Sequence, residues 1–185
     1  MHDEILGFWF GHVPGEVRAE WFRKSDAFDA QIRARFRLMI EEALQGGYAD
    51  WTHSARGSLA RVLLLDQFTR NVFRETPRAF AGDALALATA EAAVDQAFDQ
   101  ALSGVERWFL YMPFEHAENA AAQERSLSLF GQLATTAGLD ASLEWAQKHA
   151  AIIARFGRYP HRNAMIGRTS TPEEIAFLNE PGSSF

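Results

Sequence analysis

Three segments place fixed charge, imidazole and aromatic groups at close spacing. They are Asp66-Gln67-Phe68-Thr69-Arg70-Asn71, Glu106 to Glu118 with His116 near its end, and Arg155-Phe156-Gly157-Arg158-Tyr159-Pro160-His161-Arg162-Asn163. An arginine guanidinium presents a rigid fork that grips a carboxylate or phosphate through two hydrogen bonds, and a histidine exchanges a proton near neutral pH. These segments therefore point to one pocket for a small anionic ligand. Its candidate binding residues are Asp66, Arg70, Asn71, Glu106, His116, Glu118, His149, Arg158, His161, Arg162 and Asn163.

Each candidate also has a local reading. Asp66 and Arg70 are spaced for an i,i+4 pair, which becomes a costly pair to break once buried. Glu106 with Arg107 could belong to a similar brace, and Glu118 lies in what reads as a solvated helix start. His149, four residues after Trp145 and three before Ile152, falls on an apolar helix face, where a histidine is commonly a hydrogen-bonded core residue. Arg155 and Arg158 flank a helix end and complement its dipole. His161, Arg162 and Asn163 lie beyond Pro160, in a loop, and no helix end accounts for them.

Several chemistries are absent from the sequence. There is no Gly-rich phosphate loop, no Gly-x-Ser-x-Gly elbow, no His-Glu-x-x-His zinc motif and no Glu-x-x-His pair of the di-iron bundles. The dipeptide His2-Asp3, of the kind used by helical metal phosphohydrolases, falls at a terminus that reads as disordered. His116, Glu118, His149 and His161 are ligand types that a metal-dependent hydrolase uses, but their spacing matches no standard pattern, so no metal is assigned and the cofactor is left unknown. No nucleophile and base pair up from the sequence, and catalysis is not assigned.

The elements that must position these groups read as helices nearly throughout. Ser25 is placed to cap a long helix with Asp26 and Asp29 in its first turn, along which Phe28, Ile32, Phe36, Met39, Ile40 and Leu44 mark one face before Gly46-Gly47. Ser54 opens the next helix, on which Leu59, Val62, Leu63, Asp66 and Arg70 share a face. The segment from Asp3 to Phe10 is a short apolar stretch set apart by Gly11 and Pro14-Gly15. After Thr76-Pro77, the alanine-rich stretch from Asp83 to Leu102 predicts one helix ending near Ser103-Gly104. Glu106 to Tyr111 predicts a turn or two of helix, with Pro113 kinking it or starting another that runs to about Ala134. Asp140 or Ser142 begins a helix that Gly157 ends in the left-handed conformation. Thr171-Pro172-Glu173-Glu174 is a capping box with proline at the first helical position.

No segment alternates long enough for a strand, so the fold expected is all-α, an antiparallel helical array forming a single domain over residues 1–185. There is no tandem repeat at a fixed period. The chain is 48% hydrophobic and 23% charged, ordinary for a globular protein. With 18 basic and 24 acidic residues its net charge is -6, which argues against broad binding to nucleic acid or to an anionic membrane. All of the basic residues except Lys24 and Lys148 are arginine, a bias that fits anion recognition and equally fits genomic base composition. No cysteine is present, which removes disulfides and thiolate metal sites. The opening Met1-His2-Asp3-Glu4 does not read as a signal peptide, so a cytoplasmic location is expected.

Taken in order, Leu64 to Arg74, Glu106 to Glu118 and Arg155 to Asn163 resemble the motifs of a bacterial family known as domain of unknown function nine hundred and twenty-four. The resemblance runs from Ile5-Leu6-Gly7-Phe8-Trp9-Phe10 to Gly167-Arg168-Thr169-Ser170-Thr171-Pro172-Glu173-Glu174, with Thr69 standing where the family usually has proline. It implies an all-helical fold similar to tetratricopeptide-type (TPR-like) helix-pair packing, and it implies no reaction. Helix-pair folds also form grooves for a peptide or protein partner, which is the competing functional expectation. A third reading makes the motifs architectural, with buried ion pairs fixing helix register.

Overall fold

The computed structural model describes residues 1–11 and 15–183. Pro14, read above as part of a break, lies outside the described residues. Helix α1 (His2–Phe10) begins at His2 itself, whose ring meets Trp51 at 5.7 Å, so the terminus is helical where disorder was expected. Helix α2 (Asp26–Leu44) is capped by the Ser25 side chain, which accepts from the Phe28 N–H. Its apolar stripe buries Phe28, Ile32, Phe36 and Ile40. Asp29 does more than complement the dipole: it is buried, and accepts from Asn71 at 2.6 Å and from Arg74.

The next rod has three parts: α3 (Ala55–Val62), capped by Ser54, a π-helical stretch Leu63–Phe68, and α4 (Thr69–Val72). The π-helical stretch has a physical cause in its side chains. The Leu65 carbonyl accepts from the Thr69 hydroxyl at 2.9 Å, and the Asp66 carbonyl accepts from Thr69 and from Arg70 at 3.1 and 2.8 Å. Side-chain donors thus serve carbonyls in the widened turn. A regular 3.6-residue period does not anticipate it, because residues 57–69 are buried on every side and the apolar pattern has no polar face to mark its phase.

Helix α5 (Asp83–Asp95) stops earlier than the alanine content predicts. Ala97 takes a left-handed conformation (φ 56°), and a 3₁₀ turn, Phe98–Ala101, follows that buries Asp99 against the Tyr111 hydroxyl at 2.6 Å. Helix α6 (Gly104–His116) starts at a Ser103/Glu106 capping box and carries Pro113 in its interior. Proline therefore neither ends nor restarts this helix; burial of nearly every residue from Trp108 to Glu115 holds it together through the missing donor. The break falls at residues 117–119 instead, where Asn119 caps α7 (Ala120–Ala137) by accepting from Ala122 N–H. Helix α8 (Asp140–Phe156) ends at left-handed Gly157 (φ 69°), followed by a 3₁₀ turn Pro160–Arg162, the single-turn helix α9 (Asn163–Ile166) and α10 (Pro172–Leu178), which has the Thr171/Glu174 capping box.

The fold is all-helical, with no strand among the described residues. Helix α3 packs on α1, α5 and α6, and α7 lies between α6 and α8. The main core joins Trp9, Phe36, Phe68 and Phe109 with the aliphatic face of α3, and a smaller cluster gathers Ile152, Ile153 and Tyr159. Among the described residues no helix is long and apolar enough to cross a membrane.

Gly82 sets the approach of α5 to the π-helical stretch. A Cβ on residue 82 would stand 2.1 Å from the Leu65 carbonyl oxygen, a contact with backbone that no rotamer change relieves. Gly82→Ala is expected to destabilise the fold by about 1–3 kcal/mol, the range for forced overpacking. Urea unfolding checks this, and a loss under about 0.5 kcal/mol, as at an ordinary surface position, would show that the two backbones part freely.

Candidate functional site

The site is built on Asp66, whose side chain has no solvent exposure. Its Oδ1 accepts from Arg70 Nη1 at 3.0 Å and from His116 Nδ1 at 2.8 Å, while Gln67 donates to Oδ2 at 2.5 Å. Burial opposes the charge, but Arg70 and then His116 outweigh it and hold the carboxyl below the ordinary range. An ionised acceptor requires His116 to carry its proton on Nδ1, which puts the ring's lone pair on Nε2.

Arg70 reaches onward from Asp66 to Asp83, donating through Nη1 and Nη2 at 2.9 and 3.1 Å. Asp83 Oδ2 also accepts from Arg162 Nη1 at 3.0 Å, so one carboxylate at the start of α5 clamps two guanidinium groups from distant segments. Arg162 lies over the rings of Phe80 and Tyr159, each 4.7 Å from its guanidinium carbon, and donates to the His116 carbonyl at 3.1 Å. The Tyr159 hydroxyl donates to the Glu115 carbonyl and accepts from Gln123 at 3.0 Å. These contacts tie the turn after α8 to the end of α6.

The three histidines sit together. His116 and His149 have ring centroids 5.8 Å apart, and the Tyr159 ring meets His149 edge-on at 5.6 Å and His161 at a tilt at 5.7 Å. His149 donates from Nδ1 to the Trp145 carbonyl at 2.9 Å. Burial and the neighbouring His116 bring its pKa down to about 3, and burial with Arg162 brings His161 down to about 4, so both are neutral imidazoles at neutral pH. Burial also lowers His116. Glu115 is pushed well above the usual carboxylate range by burial, with the Asp66 carboxylate adding to the effect.

These groups face a cavity of about 580 Å³. Gln67, Arg70, Arg74, Glu115, His116, His149, His161 and Arg162 belong to its polar lining, Trp21, Phe22, Phe80, Trp108, Met112 and Trp145 to its apolar walls, and at its exposed edge Arg23 stands beside Lys24, which pairs with Glu75 at 3.3 Å. Trp145 is 41% exposed because it borders this space rather than the core that its helical stripe predicts.

A family model described as bacterial protein of unknown function (DUF924) matches residues 5–182. The chain belongs to this family. A solved structure of a protein of unknown function from Agrobacterium tumefaciens is similar to it, with 42% sequence identity over 96% of each chain and a TM-score of 0.86. Among curated proteins none matches.

In this DUF924 chain, the residues singled out by type and spacing divide into two groups. Arg70, His116, His149, His161 and Arg162 line the cavity, with Asp66 directly behind them. The others hold the frame. Asn71 is buried against Asp29, and Glu106 closes its capping box at 2.8 Å and faces Arg56 at 3.6 Å. Glu118 accepts from the Tyr159 N–H and from Arg168, both at 2.8 Å, and so pins the turn after α8. Arg158 and Asn163 both donate to Glu174, at 2.6 and 3.1 Å, which fastens α10. His116 and Asn119 do not share a helix face, since Asn119 caps the following helix. Asp83, Glu115, Tyr159 and the aromatic walls complete the cavity region without having been singled out. Glu115 stood next to His116 in its motif, whereas Asp83 entered only as the first residue of an alanine-rich helix.

The brace around Glu174 carries a pH signature. Its hydrogen bond to Arg158, with smaller help from the Thr171 N–H and Asn163, lowers its pKa from 4.5 to about 2. A carboxyl whose folded pKa is depressed stabilises the fold fully above its unfolded value and loses that stabilisation as pH falls. Glu174→Gln is expected to be less stable than wild type at pH 7, with the gap closing between about pH 4.5 and about pH 2. Chemical denaturation along a pH series checks it, and a gap independent of pH would remove the ion pair as its cause.

Proposed function

We propose that the cavity binds a small anionic ligand with an apolar or aromatic body. The observation that carries this reading is the composition of one half-open cavity: two guanidinium groups, Arg70 and Arg162, face it among five aromatic side chains, and the exposed Arg23 adds a further cation. Its volume of about 580 Å³ lies inside the range of roughly 300–1,000 Å³ common for small-molecule sites. Asp83 holds both arginines in place before any ligand arrives, so little side-chain order is lost on binding. A charge-assisted hydrogen bond in such a site contributes about 1.5–3 kcal/mol. The aromatic walls would cover the ligand's body and exclude water from those bonds.

TPR-like helix-pair packing belongs to this reading as the scaffold, supported by the consecutive stacking of α6, α7 and α8. A cytoplasmic setting is part of it too, supported by the lack of cysteine and the negative net charge. A peptide-binding module would instead call for the same residues along an extended concave face. Their gathering around one cavity favours the small ligand.

Thermal-shift measurements with panels of carboxylated and phosphorylated metabolites, in chelator-treated buffer, test the reading. At a hundredfold excess over its Kd a ligand stabilises by about 2.7 kcal/mol, which for a chain of this size raises Tm by roughly 5–10 °C. Arg23→Ala is expected to weaken that ligand about tenfold, and Arg162→Ala to weaken it further, consistent with one lost charged contact each. No stabilisation by any member of either panel, or equal shifts in both variants and wild type, would count decisively against it.

A further inference from the structure

We propose that Glu115, His116 and His149 form a binding site for one divalent first-row transition-metal ion, held by a Glu115 carboxylate oxygen and the Nε2 atoms of the two histidines. The inference adds to the anionic-ligand reading and does not rest on it. One ligand atom from each of these residues lies within 4.8 Å of the others, and His116 Nε2 stands 3.8 Å from Glu115 Oε1. Ligands about 2.1 Å from a shared ion at tetrahedral angles are about 3.4 Å apart, so closing on an ion from separations of up to 4.8 Å asks for a contraction of up to about 1.4 Å. Small rotations of the carboxylate and imidazoles supply that.

The outer contacts are those that a metal-binding histidine requires. Such a ring donates its other N–H to a carboxylate or carbonyl, which fixes the tautomer and aims the lone pair at the ion. His116 does this through Nδ1 to the fully buried Asp66 carboxylate at 2.8 Å, and His149 through Nδ1 to the Trp145 carbonyl at 2.9 Å. A second, independent observation comes from Glu115. Its residue is 3% exposed, it lines the cavity, and its Oε2 is buried without a hydrogen-bond partner. Buried carboxylate oxygens are normally paired, and an ion at this point would serve it.

The set of donors selects the ion. Two imidazoles and one carboxylate, with no thiolate, suit zinc, cobalt, iron or manganese rather than calcium or magnesium, which favour all-oxygen shells. Three protein donors leave coordination positions for water or for an oxygen of a ligand entering the cavity. The surrounding charge accommodates a cation. Arg70 and Arg162 are the nearby guanidinium groups, balanced by the Asp66 and Asp83 carboxylates, and Glu115 adds its charge when an ion displaces its proton. Glu118 and His161, grouped with these histidines by residue type, are not in the set. Both oxygens of Glu118 are taken up by Arg168 and the Tyr159 N–H.

The test uses tag-free, full-length protein stripped with EDTA and dialysed into chloride buffer without phosphate or carboxylate, then titrated with Co²⁺. Calorimetry and metal analysis after gel filtration are expected to give one equivalent per chain. Glu115→Gln and His149→Gln should each weaken binding at least a hundredfold, Asp66→Asn should weaken it about 10–100-fold as an outer-shell change, and His53→Gln should leave it unchanged. Because the buried variants may lose their fold, wild-type crystals soaked in Co²⁺ give an independent reading, with an anomalous peak expected between Glu115, His116 and His149. No stoichiometric cobalt, unchanged affinity in folded Glu115→Gln and His149→Gln, or a peak elsewhere overturns the proposal. Cobalt binding without any anion binding would leave this site standing and remove the ligand reading; anion binding in EDTA without cobalt binding would do the reverse.

Discussion

The buried Asp66 carboxylate is the constraint on which the arrangement turns. It has no access to water, so its charge must be met by Arg70, His116 and Gln67, and those partners come from two helical segments of the chain. Desolvating such a group costs several kcal/mol, which its attractions roughly offset, so the pair adds little net stability over an apolar core. Its effect is on register. An unpaired carboxylate at that depth would be costly, and the π-helical stretch must sit against α6 so that His116 meets it. The same placement points Arg70 at Asp83, and Asp83 at Arg162, which carries the constraint from the middle of the chain to the turn after α8.

That relay explains how arginines already engaged in ion pairs can also serve a cavity. A guanidinium has five N–H donors, and Arg162 spends two nitrogens on Asp83 and the His116 carbonyl while its plane lies over Phe80 and Tyr159. The carboxylates stand behind the arginines and fix their orientation; the aromatic walls stand in front and lower the local dielectric. In the anionic-ligand reading, an approaching anion would meet groups that need not reorganise. The cost is a neutral balance close to the floor, and at the exposed edge Lys24 is paired with Glu75, which leaves Arg23 as the cation that would attract from a distance.

Much of the frame was legible because its causes are local. Ser25, Ser54, Gly157 and the Thr171/Glu174 box act within one turn of the residues they cap, and the sequence reads them correctly. Contacts between distant segments leave a fainter mark in the sequence. The π-helical stretch at Leu63–Phe68 left no trace in the apolar pattern, because a rod buried on all sides has no phase to read. Pro113 reads as a kink or the start of another helix because proline costs a helix its donor, and the deeply buried α6 runs on through it without restarting. Arg158 and Asn163 sit in the same dense segment as His161 and Arg162, yet they turn to Glu174, a residue that composition near Pro160 could not nominate. Asp83 and Trp145 escaped for the opposite reason: each had a sufficient local place, the start of an alanine-rich helix and an apolar stripe.

The cavity lies where two kinds of cohesion meet. The main core is held by close-packed aromatic and aliphatic side chains, whereas the turn after α8 joins it largely through directed polar contacts: Arg162 to Asp83, Arg168 to Glu118, and Tyr159 to the Glu115 carbonyl. Apolar packing is tolerant of small displacements, but hydrogen bonds and ion pairs weaken steeply with misalignment. The polar seam is therefore the part of the molecule whose geometry is most sharply defined when satisfied and most readily changed when one partner is lost. His116 comes from one side of that seam and His149 from the helix that leads into the other. Any ligand or ion that engages both rings draws on the same contacts that hold α8 and its following turn in place, which makes occupancy of the cavity and order of the seam a single linked equilibrium.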